Sequence, residues 1–272
     1  MGVAALATVA LGLPAQAAQA VGGKTTVLQV KVAGAAISGI PKRMPGGEYT
    51  FKATQTGGGQ LQLGRLRNGY TAANFVRDFN AADPAAFTRL YAGTVFEGGT
   101  GFAPRGQFTA FLTPGTYLYA SLGAEKLERV GTVVVTEAGK TAPDPPRVDV
   151  TVVGYEDHAM PHHFGWDVKG VFARQGKLRF KAAGTHQPHF IIMFKLKGGA
   201  SVEDCFGFQG PPADAPCFPV LDTGVLSPNE AMVVPYALPS AGRYFLACFL
   251  PDPGAGMKDH ATLGMTKVVN VR

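Results

Sequence analysis

One thiol, two imidazoles and one thioether carry the most distinctive chemistry in this sequence. Cys248 closes the apolar run Tyr244-Phe-Leu-Ala-Cys248, and His260-Ala-Thr-Leu-Gly-Met265 follows after a loop rich in Gly and Pro. The run reads as a buried strand, and the β-branched stretch from Thr266 to Val271 reads as another. A thiolate, an imidazole and a thioether between two strands are soft and borderline donors. Copper takes that set in an electron-transfer site, with two His and one Cys in a plane and a weak axial Met. The second imidazole comes from elsewhere in the chain. His189, in Thr185-His-Gln-Pro-His-Phe190, is the best candidate. The expected metal ligands are therefore His189, Cys248, His260 and Met265.

The cysteine count bears on this reading. The chain has three cysteines, and outside the cytoplasm thiols tend to pair. Cys205 and Cys217 flank a Pro-rich loop and can close a disulfide, which leaves Cys248 over. An odd Cys in an exported protein is explained by a metal thiolate or by an inert buried thiol. A second cluster, Glu156-Asp-His158-Ala-Met160-Pro-His162-His163, is a secondary metal candidate through His158, Met160, His162 and His163. Its alternative reading is a polar loop.

The elements that hold these residues recur along the chain. Phe51-Lys-Ala-Thr-Gln-Thr aligns with Phe180-Lys-Ala-Ala-Gly-Thr, and Thr113–Ser121 aligns with Ser240–Cys248. Gly131-Thr-Val-Val-Val aligns with Gly264-Met-Thr-Lys-Val-Val. The offset is about 130 residues, one domain length. The spacing predicts two copies of a β-rich module, at 21–138 and 148–272, joined by a Pro-rich linker at 139–147.

Strands are expected at Thr25–Val32, Gly47–Ala53, Gln60–Leu66, Gly106–Leu112, Thr116–Ser121 and Gly131–Thr136 in the first copy. The second copy is expected to have them at Asp149–Tyr155, Lys177–Ala182, Phe190–Lys195, Glu230–Tyr236, Tyr244–Phe249 and Thr266–Val271. Short helices are expected at Thr71–Phe79, Asp83–Tyr91 and after Ser201, each with a capping residue. Short strands separated by turn residues indicate a β-sandwich. In the alignment Gly59 stands opposite His189 and Ser121 opposite Cys248, so the first copy lacks the ligands.

Composition narrows the function classes. At 272 residues and 46% hydrophobic the chain can build packed cores, and its net charge of +6 is scattered without a basic run. No nucleic-acid partner is expected. Val3–Leu13 followed by Pro14-Ala-Gln-Ala-Ala-Gln-Ala20 reads as a secretory signal peptide over 1–20, too short for a membrane span. An exported protein of the cell envelope, periplasm or exterior is expected. Hydrolase signatures such as Gly-x-Ser-x-Gly and His-Glu-x-x-His do not occur.

The order Cys248…His260…Met265, with Pro188-His189 upstream, resembles the ligand set of cupredoxins, the plastocyanin- and azurin-like proteins. The resemblance implies an all-β fold of two tandem cupredoxin-like Greek-key β-sandwiches with short helical insertions. It implies copper as cofactor in the C-terminal domain and electron transfer to a redox partner protein. Eleven residues separate Cys248 from His260, more than the family's usual loop. Multicopper oxidases and nitrite reductases carry a His beside this Cys; here the neighbours are Ala247 and Phe249, so no enzyme is expected. Two alternatives stand beside electron transfer. One is a metal-free cupredoxin-like binding or structural module. The other is copper storage or delivery through His158–His163. Phe206, Phe208, Phe218 and Trp166, expected in loops or short helices, form either a docking patch or a cap on the sandwich.

Overall fold

The structure is a computed structural model that describes residues 25–123, 126–128, 130–137, 146–157, 163–184 and 186–272. The segment read as a signal peptide lies outside the described residues. So does the linker 139–147, except Pro146 and Arg147. So do His158, Met160 and His162.

The first half of the chain contains β1 (Thr26–Ala33), β2 (Ala36–Ser38), β3 (Arg43–Pro45), β4 (Gly47–Thr56), β5 (Gln60–Leu66), β6 (Thr94–Gly99), β7 (Arg105–Leu112), β8 (Gly115–Leu122) and β9 (Gly131–Thr136). Between β5 and β6 lie α1 (Ala72–Ala81) and α2 (Pro84–Gly93). The second half contains β10 (Val150–Asp157), β11 (His163–Gly170), β12 (Gln175–Ala182), β13 (Ile192–Leu196), β14 (Cys217–Asp222), β15 (Ala231–Ala237), β16 (Gly242–Ala247), β17 (Pro251–Asp252), β18 (Lys258–Asp259) and β19 (Thr266–Val271). The short helix α3 (Val202–Phe206) precedes β14.

Eight strands form one continuous sheet in the order β11-β10-β12-β15-β7-β4-β1-β2. The two halves meet inside it, where Met232 pairs with Ala110 and Val233 with Thr109. About that junction the order is symmetric: β15, β12, β10 and β11 on one side answer β7, β4, β1 and β2 on the other. β3-β9-β8-β5-β6 covers the first half, and β14-β13-β16-β19 covers the second. The fold is all-β, two sandwiches in tandem with short helices.

Alternation explains the shared sheet. In β12, Leu178, Phe180 and Ala182 point inward while lysines 177 and 181 do not; in β4, Tyr49, Phe51 and Ala53 do the same. Phe51 stacks on Phe108 with ring centroids 4.8 Å apart. By contrast, Tyr244 to Cys248 is buried at every residue, because β16 is central in its sheet and covered on both faces. Tyr117 and Tyr244 occupy matching strands, and each hydroxyl donates to the carbonyl four residues back, at Thr113 and Ser240.

Local chemistry fixes the helices. Thr71 and Asn74 form a reciprocal cap on α1, and Asp83 accepts from the Ala86 amide at 2.7 Å with Pro84 in the first turn of α2. Asp78, wholly buried, accepts from Tyr70, Arg77 and Arg89. The Arg77 guanidinium first, and then Arg89 and Tyr70, hold its carboxyl below the usual range against the effect of burial.

Several expectations change. Trp166 is not in a loop: it lies buried on β11, and Phe218 lies on β14. The strand expected at Phe190–Lys195 begins at Ile192. Cys248 and Phe249 stand just beyond β16 rather than within it.

The halves are also stitched by a buried amide. The Gln62 side chain donates to the carbonyls of Leu63, Gly98 and Val225 at 2.9, 2.9 and 3.1 Å, and accepts from the Val225 amide at 2.8 Å. Replacing it with an apolar side chain leaves buried backbone groups without partners, at about 1–3 kcal/mol. Gln62→Leu should lower the unfolding free energy obtained by urea titration by that amount; an unchanged value contradicts this role.

Candidate metal centre

The site forms where the ladder between β16 and β19 ends. Ala247 pairs with Thr266, so the next residues outward, Cys248 and Met265, face one another past the last rung. β13 flanks β16 on the other side, with Ile192 opposite Ala247. The chain before β13 therefore carries His189 toward the same end. There His189 and Leu226 exchange two backbone hydrogen bonds, each 2.8 Å.

The 223–227 segment is in turn anchored on the first half. Gly224 donates to Gly99, Ser227 to the Phe96 carbonyl, and the Phe96 amide to the Ser227 hydroxyl. On the far side, Glu156 of β10 accepts from the backbone amides of His186 and Gln187. His189 thus stands in a segment held from both flanks.

The long loop between Cys248 and His260 is folded, not slack. Pro251–Asp252 and Lys258–Asp259 pair as a two-stranded ribbon, turned through Gly256 and Met257 at positive φ. The ribbon consumes the additional residues and returns the chain to its start. The His260 amide donates to Leu250 at 3.0 Å, and the Ala261 amide donates to Cys248 at 2.7 Å. The Met265 amide donates to the His260 carbonyl at 2.8 Å, closing the turn that presents the thioether.

His189, Cys248 and His260 offer ligand atoms that all lie within 4.8 Å of one another, and all three residues are buried. His189 Nδ1 is 3.2 Å from His260 Nδ1, and Cys248 Sγ is 3.5 Å from the same atom. Met265 is wholly buried beside them. A Cβ on Gly154 would lie 3.0 Å from Met265 Cε, 3.3 Å from His189 Cδ2 and 2.9 Å from Trp166 Cζ3. Glycine is therefore what lets β10 pass behind the thioether and the imidazole. Trp166 Nε1 donates to the Met265 carbonyl at 3.0 Å, and Phe164 stacks on the His260 ring at 4.2 Å.

Burial sets the electrostatics. It holds His189 well below the ordinary imidazole range, with His260 adding to the effect, and it pushes His260 down to about 4. Both rings are neutral near pH 7 and offer lone pairs. Burial also pushes the Cys248 thiol up to about 12, while the Phe190 and Leu250 amides favour its thiolate. His189 Nε2 has no hydrogen-bond partner among the described residues. The two buried neutral imidazoles and the buried thiol are donors that would hold a thiophilic cation, which would displace the thiol proton.

Each expected ligand is placed. His189, Cys248 and His260 converge, and Met265 joins them from the turn just before β19. His163 starts β11, its backbone paired with Asp157; His158, Met160 and His162 lie outside the described residues. Cys205 and Cys217 are joined by a disulfide. Sequence reasoning missed Gln187, Asp252 and Phe164 as neighbours of the site, and offered Trp166 only for a docking patch or a cap on the sandwich. None has a spacing signal, because each reaches the site through the fold.

No family model and no curated protein matches the chain. Among solved structures it is similar to auracyanin from the photosynthetic bacterium Roseiflexus castenholzii, at 25% identity and a TM-score of 0.27, over 45% of this chain and 96% of that one. It is similar to auracyanin A, a "blue" copper protein from Chloroflexus aurantiacus, at 21% identity and a TM-score of 0.28, over 45% and 98%. It is also similar to a copper nitrite reductase from Nitrosomonas europaea, at 12% identity and a TM-score of 0.27, over 92% and 94%. These are cupredoxin-fold proteins, the family that the ligand loop resembles.

The burial of Cys248 is open to test. With Cys205 and Cys217 paired, a thiol reagent should label the native metal-free protein at pH 8 negligibly and label one cysteine per chain after unfolding. Rapid native labelling contradicts the enclosed site.

Proposed function

We propose that this is an exported copper protein that carries electrons through a single centre in its second sandwich. The observation that carries the reading is the convergence of His189 Nδ1, His260 Nδ1 and Cys248 Sγ at one buried point beside Met265. Two imidazoles and a thiolate with a thioether alongside are the donors of an electron-transfer copper. Copper bound there would supply a one-electron couple. The protein's own part is to hold the donors in place, exclude water and keep the imidazoles neutral.

The first sandwich, in this reading, is a copy without a centre. Where its ligands would stand, Ser121 donates to the Gly34 carbonyl, and a Cβ on Gly59 would meet Ser121 Oγ at 2.5 Å. That position is filled by its own chain. Its role is to brace the 223–227 segment and the loop after Cys248.

An electron carrier fits better than a copper enzyme. The residues flanking Cys248 are Ala247, wholly buried, and Phe249, neither of which can hand a ligand to a second metal. A redox protein is the expected partner.

Adding copper(II) to the purified, reduced-thiol protein should give an intense visible thiolate-to-copper band with one copper per chain. Cys248→Ala should abolish the band, and Met265→Leu should keep it with a shifted potential. A colourless protein with its thiol intact would overturn the proposal in favour of a metal-free module. Copper retained at full stoichiometry in Cys248→Ala would favour the His158–His163 cluster.

A further inference from the structure

His260 is gripped on the side away from Cys248. Its Nε2 lies 2.9 Å from Gln187 Oε1, and Gln187 Nε2 donates to Asp252 Oδ1 at 2.6 Å. The same Asp252 oxygen accepts from the Gly254 amide at 2.7 Å. Asp252 is wholly buried, and its Oδ2 has no partner among the described residues. A buried carboxyl half satisfied costs stability, so its placement asks for a reason.

The hydrogen-bond polarity supplies one. With Asp252 Oδ1 accepting, the Gln187 amide must turn its NH₂ toward Asp252 and its carbonyl toward His260. A carbonyl faces Nε2 favourably only if Nε2 carries the ring proton. The proton is thereby kept off Nδ1, the atom that faces Cys248 Sγ and His189 Nδ1. Asp252 is itself fixed from the first sandwich, because Tyr91 of α2 donates to the adjacent Pro251 carbonyl at 3.1 Å.

We infer that Gln187 and Asp252 are positioning residues that lock His260 in the tautomer with Nδ1 free to bind metal. Hydrogen bonds to the outer nitrogen of a ligating His orient the ring and raise its donor strength. The ligation half of this inference rests on the copper reading above; the tautomer half does not.

The test begins without metal. In nitrogen-15 NMR of the metal-free protein, His260 should show a protonated Nε2 and a bare Nδ1. Gln187→Met should give a mixture of tautomers. Asp252→Ala, which frees the amide to turn, should give the same mixture, and Asp252→Asn, which keeps the Oδ1 acceptor, should restore the wild-type pattern. The same four proteins are then titrated with copper(II), where Gln187→Met and Asp252→Ala should bind about 10- to 100-fold more weakly than wild type. A protonated Nδ1 in the wild type, or tautomer and affinity unchanged in both Gln187→Met and Asp252→Ala, overturns the inference. If the tautomer pattern holds and the wild type binds no copper, the positioning stands and the copper reading falls.

Discussion

The ladder between β16 and β19 stops at Ala247 and Thr266, and the structure around the site depends on what happens at that open end. A regular continuation would bury Cys248 and Met265 as ordinary core. Instead the chain leaves the sheet, folds the β17–β18 ribbon and returns through His260, tied to Leu250 and Cys248 by backbone hydrogen bonds. The strand end fixes the sulfur atoms, and the ribbon fixes the imidazole against them.

That end of the second sandwich is completed by the first. The eight-stranded sheet runs unbroken through β15 and β7, so the halves share a core rather than a linker alone. Three contacts reach the site from across the junction. Gln62 and β6 hold the 223–227 segment that pairs with His189, and Tyr91 holds the loop that carries Asp252. The first sandwich thus braces the segment paired with His189 and the loop that carries Asp252.

Much of this was legible in the sequence where local pattern decides structure. The strands at Gln60–Leu66, Gly131–Thr136 and Thr266–Val271 were readable to the residue, because alternation or β-branching marks them and turn residues bound them. Those at Thr94–Gly99, His163–Gly170 and Cys217–Asp222 were not. They carry Gly, Pro or charge, and pairing across the sheet supplies the order that their own residues do not. In the site, Cys248, His260 and Met265 stand out by spacing and His189 by its Pro-His context. Gln187 and Asp252 are 65 residues apart and meet only in the fold. The length of the Cys248–His260 loop gave no hint that it would close as a ribbon.

The most direct test of the central claim is X-ray absorption at the copper edge on the copper-loaded protein, with Cys248→Ser as its control. The account predicts one sulfur and two imidazoles in the inner shell, with the short sulfur contribution lost in the variant. A shell of nitrogen and oxygen alone, unchanged by the substitution, would place copper elsewhere on the chain and contradict it.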